Sequence, residues 1–271
     1  MPARKTKPAP KDAKGGTGTG DVPKYSAPAL EKGLSLLTFL AGQDTSLTLT
    51  SIAQQTGRGS GEVFRLLQVL QGEGFVSQDR NGYSLTPKLL QIGMEKPPLR
   101  NLVEVALPVM RRLAIDTAQS CHLVFESQGE IVVVARMESV ERLGFSVRVG
   151  YRQPLHLTGS GKVLYAFQPP EVRAEWEAKF DPRPSSAELA QFRKQASAIH
   201  ADGHARSESA FTHGVTDLAA PILRGENAAA TLAIPFIGHR IGGVPIDEVL
   251  NLLKTATRSI SSELALIDSR A

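Results

Sequence analysis

Thr158-Gly159-Ser160-Gly161-Lys162 comes nearest to chemistry in this chain, because glycines around a serine ahead of a lysine can cradle a phosphate or expose a nucleophile. Neither use fits the spacing. A nucleotide-hydrolysing phosphate loop needs a glycine where His156 stands and a Ser or Thr where Val163 stands. A nucleophile elbow around Ser160 needs glycines in place of Thr158 and Lys162. His200 and His204 have helical i,i+4 spacing with His213 nearby, but Gly203 interrupts and no acidic ligand sits at metal spacing. Cys121, the single cysteine, reads as a core residue in a reducing compartment. The expectation is no catalytic set, no metal, no cofactor and no enzyme.

What Gly159 and Ser160 offer is backbone. A turn ahead of a helix starting near Gly161 presents unpaired N–H groups at the positive end of a dipole, a place suited to a carboxylate. His156 and Thr158 can add donors. The bland alternative is an ordinary capped helix start.

A second constellation lies in TGRGSGEVFRLLQVLQGEGFV, Thr56 to Val76. With Ser60 as N-cap, Val63, Leu66, Leu67 and Leu70 fall at i, i+3, i+4, i+7 and face a core. Glu62, Arg65 and Gln68 then face outward, with Phe64 at the border. Bare glycines before this helix let backbone approach another surface, and phosphates suit the unpaired N–H groups there, beside Arg58 and Ser60.

The elements that position these residues follow from spacing. From Ala29, Leu30, Leu34, Leu37 and Ala41 form one helical stripe, with Gly33, Leu36 and Leu40 beside it. Thr48 caps a short helix that carries Leu49, Ile52 and Ala53 inward and ends at Gly57. After the third helix come two strands, Phe75 to Gln78 and Tyr83 to Thr86, around an Asn81-Gly82 turn, with Arg80 at the tip. Three helices and a hairpin make a winged helix-turn-helix, whose third helix enters the major groove while the hairpin tip lies on the backbone.

Charge qualifies that reading. The chain carries a formal net charge of +4, and Met1 to Lys24 alone holds six basic residues against Asp12 and Asp21, so the rest is neutral. A neutral module gains little from counterion release. Tight binding needs two copies per site, help from the basic tail, or both. That tail, rich in Lys, Pro, Gly and Thr, is expected to be disordered. Without a secretory signal or a long apolar run, the chain is expected in the cytoplasm, away from membranes.

In the second half, Asn101 to Gln119 reads as a helix with Val105, Val109, Leu113 and Ile115 or Leu102 inward, after a break at Pro97-Pro98. CHLVFES and EIVVVARM flank a Gln128-Gly129 turn, and GFSVRVG alternates as a third strand. Helices follow at Gly161 to Phe167, Pro170 to Lys179 and Ser186 to Ala201. Thr216 to Leu223 and Ala228 to Phe236 form a hairpin, and Pro245 to Ile267 closes as an amphipathic helix. The sum is an α+β domain with a curved antiparallel sheet covered on one face.

ALEKGLSLLTFLAGQDTSLTLTSIAQQTGRGSGEVFRLLQVLQGEGFV followed by RNGYSLTPKLLQIG resembles the DNA-binding domain of the IclR family of bacterial transcription regulators. VGYRQPLHLTGSGKVLYAF and HGVTDLAAPILRGENAAATLAIPF resemble that family's second half. The resemblance runs from about Ala27 to Leu266. It implies a winged helix-turn-helix, a linker helix and a GAF-like C-terminal domain that binds small organic molecules, with Gly159 and Ser160 as the donors to the effector's acid group. It also places Ser207, Asp217, Ala233 and Pro235 around the effector, where relatives carry an aspartate, a cysteine and two serines. The recognition helix departs as well, with Gly59, Ser60, Gly61 and Glu62 in place of Pro, Lys, Ser and Thr. The less polar last strand points to a larger, partly apolar or aromatic acid, and Asp217 welcomes a hydroxyl or amine donor.

The expected organisation is a tail over 1–24, the DNA-binding module over 25–87, a linker over 88–101 and an effector-binding domain over 102–271. Expected partners are a double-stranded, near-palindromic DNA operator, a small organic acid and a second copy of the chain, as homodimer or homotetramer. The competing readings are a GAF-like sensor or enzyme with a vestigial helix-turn-helix, and a protein-docking module.

Overall fold

The computed structural model describes residues 27–95, 97–141, 144–238 and 243–269. The expected disordered tail lies outside them. The chain divides into two compact units, Met1–Ile92 and Gly93–Ala271.

In the first unit, α1 (Pro28–Ala41) starts on a proline whose missing N–H costs a helix start nothing. In α2 (Leu49–Thr56) the Thr48 cap accepts from the Ser51 amide at 3.2 Å, and Gly57 ends the helix at φ +66°. α3 (Ser60–Gly72) starts differently from expectation: Gly59 is the N-cap and offers no side chain, so Ser60 is the first helical residue. Leu36, Leu37 and Leu40 of α1 meet Ile52, Val63, Leu67 and Leu70 in one core. Leu30 and Leu34, on the stripe shared with Leu37, are 62% and 54% exposed, because the face that meets α3 is the one bearing Leu36 and Leu40. β1 (Val76–Asp79) and β2 (Gly82–Leu85) form the hairpin. Its turn is centred on Arg80-Asn81, one residue earlier than expected, since Asp79 Oδ1 accepts from the Asn81 amide at 2.7 Å and the Gly82 amide at 3.0 Å. Leu47 and Tyr83 then exchange backbone hydrogen bonds of 3.0 and 2.8 Å, tying the hairpin to the segment before α2. α4 (Lys88–Met94) follows.

The second unit opens with α5 (Pro97–Thr117), which begins on the two prolines expected to break the chain. α5 turns Leu102, Met110 and Leu113 inward and leaves Ile115 outside. β3 (Cys121–Ser127), β4 (Glu130–Met137), β5 (Arg152–Pro154), β6 (Ala205–Glu208), β7 (Thr216–Arg224) and β8 (Asn227–Phe236) form one sheet in the order β5-β4-β3-β8-β7-β6, antiparallel throughout. Gln128 and Gly129, at φ +60° and +82°, make the tight β3–β4 turn. α5 and α9 (Ile246–Asp268) bury Leu218, Ile222, Leu232 and Ile234 against one face. α6 (Gly159–Ala166), α7 (Pro170–Ala178) and α8 (Ser186–Asp202) bury Val124, Ile131 and Val133 against the other. The expectation of one covered face is therefore corrected. The near-continuous buried runs of β7 and β8 are what two covered faces require.

GFSVRVG is not a strand. Gly150, at φ +83°, turns the chain so that Val133 bonds the Tyr151 carbonyl and the Gly150 amide, and Arg152–Pro154 takes the edge beside β4. Residues 144–151 are left to arch beside the sheet. Among the described residues, no helix is long and apolar enough to cross a membrane.

Candidate functional site

Two surfaces gather the residues singled out in the sequence. On the first unit, the outward face of α3 holds Ser60, Phe64, Arg65 and Gln68, all exposed, and Phe64 is a large ring left 45% in solvent. Two charges at the start of α3 turn inward instead. Arg58 donates to the Lys32 carbonyl at 3.0 Å and to Ser35 Oγ at 3.1 Å, fastening the α2–α3 turn to α1. Glu62 pairs with Lys32 Nζ at 2.7 Å, and that bond is the main cause holding its carboxyl below the usual range. Lys32 thus offsets the acid that would repel phosphates. Arg65 has no hydrogen bond or ion pair among the described residues, and Arg80 stands exposed at the hairpin tip.

On the second unit, a cavity of about 400 Å³ lies between the sheet and the 144–151 segment. Its floor comes from neighbouring strands in register, His122 of β3 opposite Ala233 of β8, and Ala233 opposite Ala219 of β7. Phe145, Val147 and Tyr151 close one side and Phe211 and Thr212 another, with Arg148 exposed at the rim. One end is the first turn of α6. Thr158, its N-cap, accepts from the Gly161 amide at 2.9 Å, so the amides of Gly159 and Ser160 are the helix donors ahead of the first intrahelical bond.

Thr158, Gly159, Ser160, Asp217, Ala233 and Pro235 all line this cavity. Ser207 pairs with Asp217 across β6–β7 and stands beside it against Gly159, but it borders a separate depression of about 290 Å³. His156 does not reach the cavity. Its ring packs against Phe180 with centroids 4.7 Å apart and borders a different depression with Lys162 and Glu188. Burial is the main cause lowering its pKa. Burial likewise raises the Asp217 carboxyl, against a hydrogen bond from Ser209 that acts the other way.

His122 went unnoticed in the sequence, although alternation in CHLVFES places it on the face opposite Cys121 and Leu123. It is 9% exposed, its Nδ1 has no partner among the described residues, and burial pushes its pKa down from 6.5 to about 4. A depressed pKa means that stability is fully present above pH 6.5 and lost as pH falls toward 4. Between pH 7.5 and 4.5 His122 is expected to account for roughly 2 to 3 kcal/mol of the stability lost in urea unfolding, and a His122→Asn chain is expected to lose correspondingly less. Asp217, raised by burial, acts with the opposite sign, so the comparison of the two chains isolates His122. Equal losses in both would contradict the burial of His122.

Among the described residues, no group of three or more His, Cys, Asp or Glu is placed to hold a metal. His200 stacks on Phe167, and His204 Nδ1 lies 2.9 Å from the Asp202 carbonyl.

Comparison with known proteins gives these surfaces a context. Residues 29–80 match the model of the IclR helix-turn-helix domain, and residues 99–262 match that of the bacterial transcriptional regulator IclR C-terminal domain. The chain is similar to the glycerol operon regulatory protein of Streptomyces coelicolor, 33% identical over 202 residues that cover 72% of this chain and 78% of that one. It is also similar to the HTH-type transcriptional regulator KdgR of Dickeya chrysanthemi, 27% identical over 234 residues, 84% of this chain and 77% of that one. Among solved structures, an IclR homologue from Microbacterium hydrocarbonoxydans complexed with 4-hydroxybenzoate shares the fold, with a TM-score of 0.72 at 22% identity over 88% of this chain and 99% of that one. With both of its units matched, this chain belongs to the IclR family of DNA-binding transcription regulators, with a helix-turn-helix domain followed by an effector-binding domain.

Proposed function

We propose that α3 and the hairpin tip hold operator DNA while the cavity beside α6 receives a small organic acid, aromatic or otherwise partly apolar, that changes DNA affinity. The observation that carries this reading is the cavity itself, with two helix-start amides at one end and Ile131, Val133, Phe145, Val147, Ala219 and Ala233 among its walls. The 4-hydroxybenzoate bound to a structural neighbour supports the same ligand class.

On the DNA face, Ser60, Phe64, Arg65 and Gln68 meet the major groove and Arg80 the backbone. Arg58 and Glu62 act by fixing the start of α3. Two copies of the chain, as homodimer or homotetramer, supply the affinity that one neutral module lacks. The apolar side chains of Leu30 and Leu34 on α1, and Leu89 and Leu90 on α4, exposed in the single chain, support such pairing. The protein works in the cytoplasm and catalyses nothing.

The test is coupling. Fluorescence anisotropy on a selected operator fragment is expected to show affinity changing by roughly 5- to 150-fold when the acid is added. Ala233→Phe, which fills the cavity floor, is expected to remove the response and leave DNA binding intact. An acid that binds the cavity without moving operator affinity would sink the reading.

A further inference from the structure

We propose that the ligand of the α6 cavity is an α-amino acid with an apolar side chain, its carboxylate on the amides of Gly159 and Ser160 and its ammonium on Asp217. This rests on the cavity being the effector site, and narrows what that site accepts.

The geometry places two opposite demands side by side. The first turn of α6 attracts an anion, since its leading amides have no partner among the described residues and the dipole adds positive charge. Asp217 stands beside that same turn: a Cβ built on Gly159 would lie 3.6 Å from Asp217 Cβ and 3.6 Å from Ser207 Oγ. Asp217 lines the cavity, is only partly exposed, and has no ion pair among the described residues; Ser209 is its hydrogen-bond donor. The rim cation Arg148 is exposed and does not answer it.

A simple carboxylic acid seated on the two amides would set one carboxylate beside another. One of them must then take up a proton, or both must bear the repulsion. A ligand whose ammonium is one carbon from its carboxylate meets both demands, the carboxylate accepting from backbone N–H groups and the ammonium donating to the Asp217 carboxylate.

The remaining walls set the side chain. Most of that lining is hydrocarbon, from Ile131, Val133, Phe145, Ala219 and Ala233, with Ser146, Ser209 and Thr212 the smaller polar share, so a strongly polar side chain would lose more hydrogen bonds to water than it regains there. His122 is an independent sign of a ligand: it is buried to nine-tenths, lines the cavity, and has a ring nitrogen that no group among the described residues satisfies.

Calorimetric titration of the full chain with matched skeletons decides the matter: phenylalanine against 3-phenyllactate and 3-phenylpropanoate, and leucine against 4-methylpentanoate. In the unmutated chain at least one amino acid is expected to bind about tenfold or more tighter than the acid lacking the amine. Asp217→Asn is expected to erase that preference and improve the simple acids, while Asp217→Glu retains it. A simple acid that binds best overturns the proposal, as does an amine preference that survives Asp217→Asn or absence of heat with every compound. Ala233→Phe separates the two levels of failure. If the simple acid is preferred and Ala233→Phe weakens it, the cavity stands and the amino-acid class falls. If binding is the same with Ala233→Phe, the cavity itself is the wrong place.

Discussion

Gly161→Ala is expected to abolish ligand binding and to lower the stability of the effector-binding unit by about 3 kcal/mol. A Cβ at this position would lie 2.1 Å from the Leu155 carbonyl oxygen and 2.7 Å from Thr158 Oγ1. The first is backbone and the second is the helix cap, so neither can swing aside. Relief must move the 3-10 turn Leu155–Leu157 or the first turn of α6, and that turn carries the amides of Gly159 and Ser160. Gly159→Ala is the control. Its Cβ would meet Asp217 and Ser207 only at 3.6 Å, an ordinary contact, so stability should barely change while the space beside the amide pair narrows. Urea unfolding and calorimetry on the two variants test this, and a Gly161→Ala chain with unaltered stability would contradict the close packing of this turn.

Arg65→Ala is expected to weaken operator binding by about 1 to 3 kcal/mol, roughly 5- to 150-fold, without changing the fold. Arg65 projects from the outward face of α3 with no partner among the described residues, whereas the other charges of that helix start are engaged within the unit. Its guanidinium is therefore available to a guanine edge or a phosphate at no cost in existing bonds. Arg58→Ala gives a different signature. It unties the α2–α3 turn from α1, so lost affinity is accompanied by lost stability of the first unit. Anisotropy titrations on operator and random DNA, beside thermal unfolding, separate the two. Unchanged operator affinity in a folded Arg65→Ala chain would mean that another face meets DNA.

The legible parts of this chain are those where one short pattern has one solution. Val63, Leu67 and Leu70 must share a side of α3, and the Gln128-Gly129 turn joins two strands in register. Where a pattern has two solutions, the choice belongs to packing. Leucines lie on two adjacent faces of α1, and only contact with α3 selects Leu36 and Leu40 over Leu30 and Leu34. Two prolines can end a segment or begin a helix, and Pro97-Pro98 begins one. GFSVRVG alternates as a strand does, yet Gly150 hands the sheet edge to Arg152–Pro154. At the cavity, Thr158 to Ser160 were visible because a helix start advertises itself locally. His122 and Phe211 were not, since strands and loops far apart in the chain bring them together. His156 shows the converse: its neighbours in sequence line the cavity while its ring packs on Phe180.

Sequence-specific DNA binding through α3 by paired copies of the chain is tested most directly by selection from genomic fragments followed by footprinting. The full chain is expected to enrich a site with two related half-sites about one helical turn apart and to protect both, with enrichment lost in Arg65→Ala. Recovery of unrelated fragments, with no shared sequence and no difference between the unmutated and Arg65→Ala chains, would contradict it.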